Sequence, residues 1–236
     1  MTPAACQPLR VTAWLAHPGV LRDAPMLDGL LLAGEAARVS ADVPGGVLPL
    51  DATDALPLPL ARVEVPGAGW WWAASAAHLH GPERGAYGNR RPPLHLAERL
   101  TSDRSFNVVS GPDKMLRQPL PYRPTMLRLE FTCIGDPAGV GAALAFVGGV
   151  GHRRTHGWGW ILRWEVEADP DGPTLADYAT DIRLRHLPVQ AARLPPPVAG
   201  QRPARAVSRL IPLTPPYWQR PRAVPCLAIA PSVGAA

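Results

Sequence analysis

Leu9, Val11, Ala13 and Leu15 alternate with Arg10, Thr12 and Trp14, the period of a strand with one buried face. Asp23 and Pro25 then offer a helix start, and Leu27, Leu30, Leu31 and Gly34 follow at helical spacing before Gly45-Gly46 ends the region. The stretch Leu56 to Val65 predicts a strand whose beginning, with Pro57 and Pro59, suits only a sheet edge. Trp70 to Ala77 predicts another strand after the Gly67-Ala68-Gly69 turn. Further along, Leu127, Leu129, Phe131 and Cys133 face one way and Arg128, Glu130 and Thr132 the other. Gly135-Asp136-Pro137 opens a helix whose buried side is Val140, Leu144 and Val147, with small Ala142, Ala143 and Ala145 allowing close packing. Trp158, Trp160, Leu162, Trp164 and Val166 then share a face opposite Arg163, Glu165 and Glu167. This is the clearest strand pattern in the chain, and it favours the three tryptophans as core residues over exposed aromatic platforms.

Two regions lack such periodicity. From His78 to Pro124, Gly, Pro and Arg dominate, with Arg84, Arg90, Arg91, Arg99, Arg104, Arg117 and Arg123 spread through it and only a short helix suggested around Leu94 to Leu100. An insertion of that length is functional or disordered in most domains. Beyond Asp169 comes an acidic turn, then Leu175 to Leu187 as a helix leading to a short strand. A Pro- and Arg-rich end follows, in which Tyr217 and Trp218 would anchor an extended segment. The order of elements predicts an α+β fold with a ferredoxin-like or RNA-recognition-motif-like core, an antiparallel sheet backed by helices. Residues 1–174 form that core with an Arg-rich arm at about 78–124, and 175–236 form a C-terminal extension packing on it.

Between the second helix and the last strand of this core lies Gly148-Gly149-Val150-Gly151-His152-Arg153-Arg154-Thr155-His156-Gly157-Trp158-Gly159-Trp160. Glycines bring backbone close to a ligand, and unpaired amides in such loops make concavities for anions. A dinucleotide fingerprint begun at Gly149 needs its third Gly where Arg154 stands, and no phosphate-loop Lys-Ser or Lys-Thr follows, so no nucleotide cofactor is expected. What fits is a polyanion backbone; tight packing in a plain helix-to-strand turn is the alternative use of the same glycines.

Composition moves this picture modestly. The net charge is +5, and every Lys/Arg position except Lys114 is arginine, which forks onto phosphate and stacks on bases. A GC-rich genome would favour Arg as well, and the 30 prolines point that way. Cys6, Cys133 and Cys226 form no Cys-x-x-Cys pair, so neither a zinc knuckle nor a disulfide framework is encoded. Reduced thiols and the lack of a signal-like or membrane-spanning apolar run predict a cytoplasmic protein with no membrane contact. His78 and His80 would share a strand face as metal ligands do, but no Cys or patterned carboxylates accompany them, and no metal site is expected.

The stretch from Gly149 to Gly159 resembles the glycine-rich signature of the repeat-associated (RAMP) superfamily of CRISPR proteins, whose core is ferredoxin-like. Val11-Thr12-Ala13-Trp14-Leu15-Ala16 with Leu27-Asp28-Gly29-Leu30-Leu31, the Ser110-Gly111-Pro112-Asp113-Lys114 segment, and Pro215-Pro216-Tyr217-Trp218 look like the smaller RAMP subunit of type IV effectors. The resemblance implies a non-catalytic subunit that caps the 5′ handle of the guide RNA (crRNA). Its partners would be the repeated backbone subunits, the large subunit and target DNA near the protospacer-adjacent motif. On this reading the amides of Gly149 and Gly151, with Gly157 closing the loop, and the side chains of Arg153 and Arg154 hold phosphates. His152 and His156 meet bases, Lys114 and Arg117 enter the same surface, and Arg90 and Arg91 sit on a clamping arm.

Two other readings stay open. Some RAMP relatives are metal-independent endoribonucleases; His152, His156, His78, His80 and Lys114 are the residues here that could move protons around a 2′-hydroxyl. Contact with target DNA would fall to the Arg84–Arg104 arm, where a bidentate Arg reading guanine is chemically sound.

Overall fold

A computed structural model describes residues 6–21, 24–41, 56–79, 84–90, 116–122, 126–151, 157–193, 206–215 and 223–229. In chain order the elements begin with β1 (Gln7–Leu15), α1 (Leu27–Ala41), β2 (Arg62–Val65), β3 (Gly69–Trp72), β4 (His78–Leu79), β5 (Arg84–Arg90) and β6 (Leu116–Tyr122). There follow β7 (Arg128–Gly135), α2 (Pro137–Leu144), β8 (Ile161–Ala168), α3 (Leu175–Thr180), β9 (Leu187–Pro188), β10 (Ala206–Pro212) and β11 (Ala223–Ile229). The fold is α+β, and all of its sheets are antiparallel among the described residues.

The largest sheet has four strands in the order β4-β7-β1-β8. Leu9, Val11, Ala13 and Leu15 on β1 and Leu129, Phe131 and Cys133 on β7 turn to one side, as their alternation predicts, and are buried there. Leu27 and Leu31 of α1 and Val140 and Leu144 of α2 cover them from that side. The helices meet at Gly34, where a Cβ would run into the carbonyl oxygen of Ala143. Helix α2 starts as expected: Asp136 accepts from the amides of Ala138 and Gly139 at 3.3 and 2.9 Å, and Pro137 supplies the first turn. Truncating one of these core leucines to Ala should cost about 2–5 kcal/mol.

A second hydrophobic cluster lies beside the first. Trp71 and Trp72, adjacent on β3, point to opposite sides; Trp72 joins the first cluster, and Trp71 joins Tyr178, Ile182, Leu187 and Val63 in the second. Trp71 donates its indole N–H to the Tyr178 carbonyl at 2.9 Å, and the Tyr178 hydroxyl donates to Thr132 at 2.8 Å. A three-stranded sheet of order β10-β11-β9 flanks this cluster. The joint between the clusters holds the buried Arg185, whose guanidinium reaches Asp28 at 3.4 Å, the carbonyls of Trp72 and Ala74, and that of Leu213 at 2.8 Å.

One expectation needs correction, and two gain detail. The ends of the Arg-rich arm are regular: β5 pairs antiparallel with β6, from Arg84↔Tyr122 to Arg90↔Leu116. A two-residue alternation broken by Gly and Pro left that ribbon invisible; the suggested helix at 94–100 lies outside the described residues. The C-terminal segment is also paired, β10 with β11 in full register and β11 with β9, while Tyr217 and Trp218 lie outside the described residues. Finally, the alternation before β8 does not run straight into the sheet. Trp14 pairs with Arg163 but Leu15 with Ile161, so a bulge at Leu162 reverses the parity. Ile161 is therefore buried at 7%, whereas Trp160 and Leu162 are 60% and 69% exposed.

Candidate nucleic-acid interface

After α2 the chain turns at Ala145-Phe146 and enters a hairpin neck that joins the sheet at the end of β1. Val150 N–H donates to Gly159 O at 2.9 Å and Ile161 N–H to Gly148 O at 3.0 Å, which makes Gly149 and Trp160 the narrow, non-hydrogen-bonded pair between them. In such a pair the backbone groups point away from the partner strand. Trp160 uses its outward carbonyl to accept from Ala16 N–H at 2.8 Å, which ties the neck to the sheet, and Gly149 presents its amide on the other side. Buried Val150 pins the neck from beneath.

The glycines divide into two kinds. Gly151 and Gly159 have φ of +80° and +65°, and a Cβ on either would strike backbone: the Val20 carbonyl oxygen at 2.6 Å for Gly151, the Val150 carbonyl oxygen for Gly159. Their missing side chains are used inside the chain. Gly157 also has positive φ, +79°, and lies beside His17. Gly148 has no positive φ, and a Cβ there would meet nothing within 4 Å among the described residues.

Of the residues singled out in the sequence, Gly149 is paired with Trp160 in the neck, and Gly151 and Gly157 follow with positive φ beside Val20 and His17. His152, Arg153, Arg154, His156, Lys114, Arg91 and His80 lie outside the described residues. Arg90 and Arg117 occupy neighbouring register positions at one end of the β5–β6 ribbon, Arg90 opposite Leu116 and Arg117 opposite Asn89.

The sheet face away from α1 and α2 is a second place where ligands might be sought. Its rows run Arg128–Trp14–Arg163, Glu130–Thr12–Glu165 and Thr132–Arg10–Glu167. Every one of its guanidinium groups has a carboxylate: Arg128 with Glu130 at 3.2 Å, Arg163 with Glu165 at 2.9 Å and Arg10 with Asp169 at 3.2 Å. Arg163 also lies 5.2 Å from the centre of the Trp14 ring, whose N–H donates to Glu165 at 2.6 Å. A cleft of about 380 Å³ opens on this face among Arg10, Ser75, His78, Glu130, Thr132 and Arg183. Arg183 is engaged by Asp181 at 2.5 Å, so the cleft has little net field for an anion.

The thiols and phenol of this region are inert by burial. Desolvation pushes Cys133 up to about 12 and Cys226 to about 11, and holds Tyr178 above the ordinary phenol range. Asp177 goes the other way, held below the ordinary carboxylate range by the Thr174 amide and hydroxyl in a capping box at the start of α3. Among the described residues no three His, Cys, Asp or Glu side chains cluster as metal ligands, and no helix is long and apolar enough to cross a membrane.

Sequence reasoning did not find exposed Trp160, His17 beside Gly157, or Arg62 stacked 4.5 Å from Trp70 and 5.0 Å from Trp72. Only the last left a trace, in the run Gly69-Trp70-Trp71-Trp72 across a tight turn from Arg62. Neither the protein-family models nor the curated proteins give a match to this chain.

Proposed function

We propose that this chain is a non-catalytic guide-RNA-binding subunit of a CRISPR ribonucleoprotein effector of type IV, acting in the cytoplasm. It caps the crRNA 5′ handle and helps to place the complex on target DNA beside its backbone and large subunits. The reading begins from strand order. Taking β1, α1, β4, β7, α2 and β8 as one unit gives two interleaved β-α-β halves with sheet order last-first-third-second, which supports a ferredoxin-like core. The stretch that resembles the RAMP signature falls between the second helix and last strand of that unit.

The observation that carries the proposal is the neck itself. Gly149 turns its amide outward in a stretch whose sequence runs on through His152-Arg153-Arg154-Thr155-His156, while the described arginines of the open sheet face are matched by carboxylates. Binding a polyanion on the sheet face would first have to break these ion pairs, which favours the neck as the place where it is held. The ends of the arm, where Arg90 and Arg117 come to neighbouring positions, offer a second phosphate contact or a clamp.

The test is to co-express the chain with its genomic neighbours and a repeat–spacer array, isolate the complex and sequence the RNA it retains. A discrete crRNA with its handle is expected. Each of Arg153→Ala and Arg154→Ala should then flatten the log–log salt dependence of RNA binding by about 0.7, the share of one single-strand phosphate contact. An RNA-free complex, or slopes equal to that of the unaltered protein, would refute the proposal.

A further inference from the structure

Trp160 lies on the strand face that the alternation assigns to the core, yet it is 60% exposed, and Leu162 beyond it is 69% exposed. The bulge at Leu162 accounts for the reversed parity; it does not account for a large indole kept in water at a position where Ser or Thr would serve a strand end as well. Two glycines of the neck lie beside it. Directly across the neck stands Gly149, which has no side chain to lie against the indole. Next to Gly149 is Gly148, where a Cβ would meet nothing within 4 Å among the described residues and where φ does not require glycine. Gly151 and Gly159 have packing reasons to be glycine; Gly148 has none within the described molecule.

We infer that Trp160 is a base-stacking residue, receiving an unpaired nucleobase of single-stranded RNA on its indole while the ribose-phosphate passes over the bare backbone of Gly148-Gly149. This rests on the RNA-binding reading above and adds to it the group that meets the base. The chemistry is that of sequence-tolerant single-strand binding, in which an aromatic face takes a base beside a backbone-binding surface. The outward Gly149 amide donates to a phosphate in that arrangement, while Trp160 is held to Ala16 by its backbone carbonyl and leaves its indole exposed.

The experiment measures binding of a short fluorescent adenosine oligonucleotide and of its abasic counterpart, which keeps every phosphate and lacks the bases. It uses the full-length chain in its isolated complex after removal of bound RNA. The unaltered protein should prefer the base-bearing strand. Trp160→Ala should weaken binding of that strand about tenfold to a hundredfold and abolish the preference, leaving abasic binding unchanged, and Trp160→Phe should restore most of the loss.

Full RNA affinity and base preference in Trp160→Ala would overturn the stacking role and leave the RNA-binding reading standing. Binding of neither probe by the unaltered protein, together with absence of retained crRNA, would remove that reading and this inference with it. Loss of a protein subunit from the Trp160→Ala complex, with RNA affinity intact, would reassign the exposed indole to a protein contact and overturn the inference.

Discussion

Arg185 and Arg163 show what the surroundings of a guanidinium decide. Arg185 sits in the joint between the two hydrophobic clusters, where Asp28 and three backbone carbonyls receive it and almost no solvent reaches the pair. Arg163 stands on the open sheet face, 63% exposed in its side chain, against Glu165 and the ring of Trp14. Both are matched charges in an arginine-rich chain, and neither is available to a polyanion. The comparison moves attention from the number of cations to their pairing. An overall charge of +5 says little about where a polyanion would bind once the arginines of the open sheet face prove to be balanced.

Arg185 should give the largest effect on stability. Removing one partner of a buried pair leaves the other charge desolvated and unmatched, so Arg185→Ala should lose about 3–5 kcal/mol, read by urea denaturation. Arg185→Met combined with Asp28→Leu should recover much of that loss, because packed apolar groups often replace a buried ion pair at little cost. If Arg185→Ala were as stable as the unaltered protein, the joint would hold by apolar contact alone.

Gly159→Ala should follow at about 1–3 kcal/mol for positive φ in a residue with a Cβ, with the Val150 carbonyl obstructing relief. Gly148→Ala, in the same glycine-rich stretch but with nothing within 4 Å of its Cβ among the described residues, should stay within about 0.5 kcal/mol. Thermal melts of the pair check the division of the glycines; equal losses would erase it.

That division marks the limit of what the residues reveal by themselves. The core faces of β1 and β7 were legible because their alternation is unbroken, and the start of α2 because Asp136-Pro137 is local chemistry. Trp160 was misassigned because a single bulged residue reverses inside and outside, and nothing in the residue types around Leu162 signals it. The joining of Arg185 to Asp28 was illegible for another reason: such a contact is set by tertiary packing between distant segments, and every arginine reads alike along a chain. The neck was legible as a glycine-rich turn, but which glycines serve packing and which face outward depends on Val20 and Gly19 approaching from β1's far end.

The thiols extend the comparison between sealed and open regions. Cys133 and Cys226 are buried and Cys6 is exposed. Native protein treated with an alkylating reagent at mildly alkaline pH should therefore be labelled at Cys6 alone, as peptide mass spectrometry would read, and at all three only in denaturant. The linkage runs in one direction. With Cys133 raised from 9.0 to about 12, the unfolded chain releases its proton first, so stability contributed by the protonated thiol is complete below pH 9 and declines as pH rises toward 12. Cys133→Ser should remove that decline, and a native protein labelled equally at Cys133 would show the core to be open.

The smallest effect should come from Arg163. Its ion pair with Glu165 is solvent-exposed, a setting in which such pairs contribute about 0–1 kcal/mol, and the stacking on Trp14 adds at most a similar amount. Arg163→Ala should therefore barely move the melting temperature. Its effect on RNA is the sharper measure. Since Glu165 already balances it, removing Arg163 deletes one cation and frees one carboxylate, so any change in affinity should be a slight loss and the salt slope should stay that of the unaltered protein. Arg153→Ala in parallel supplies the contrast. If the two variants flattened the slope equally, the sheet face would belong to the RNA interface, and pairing would have failed as the rule that separates the two surfaces.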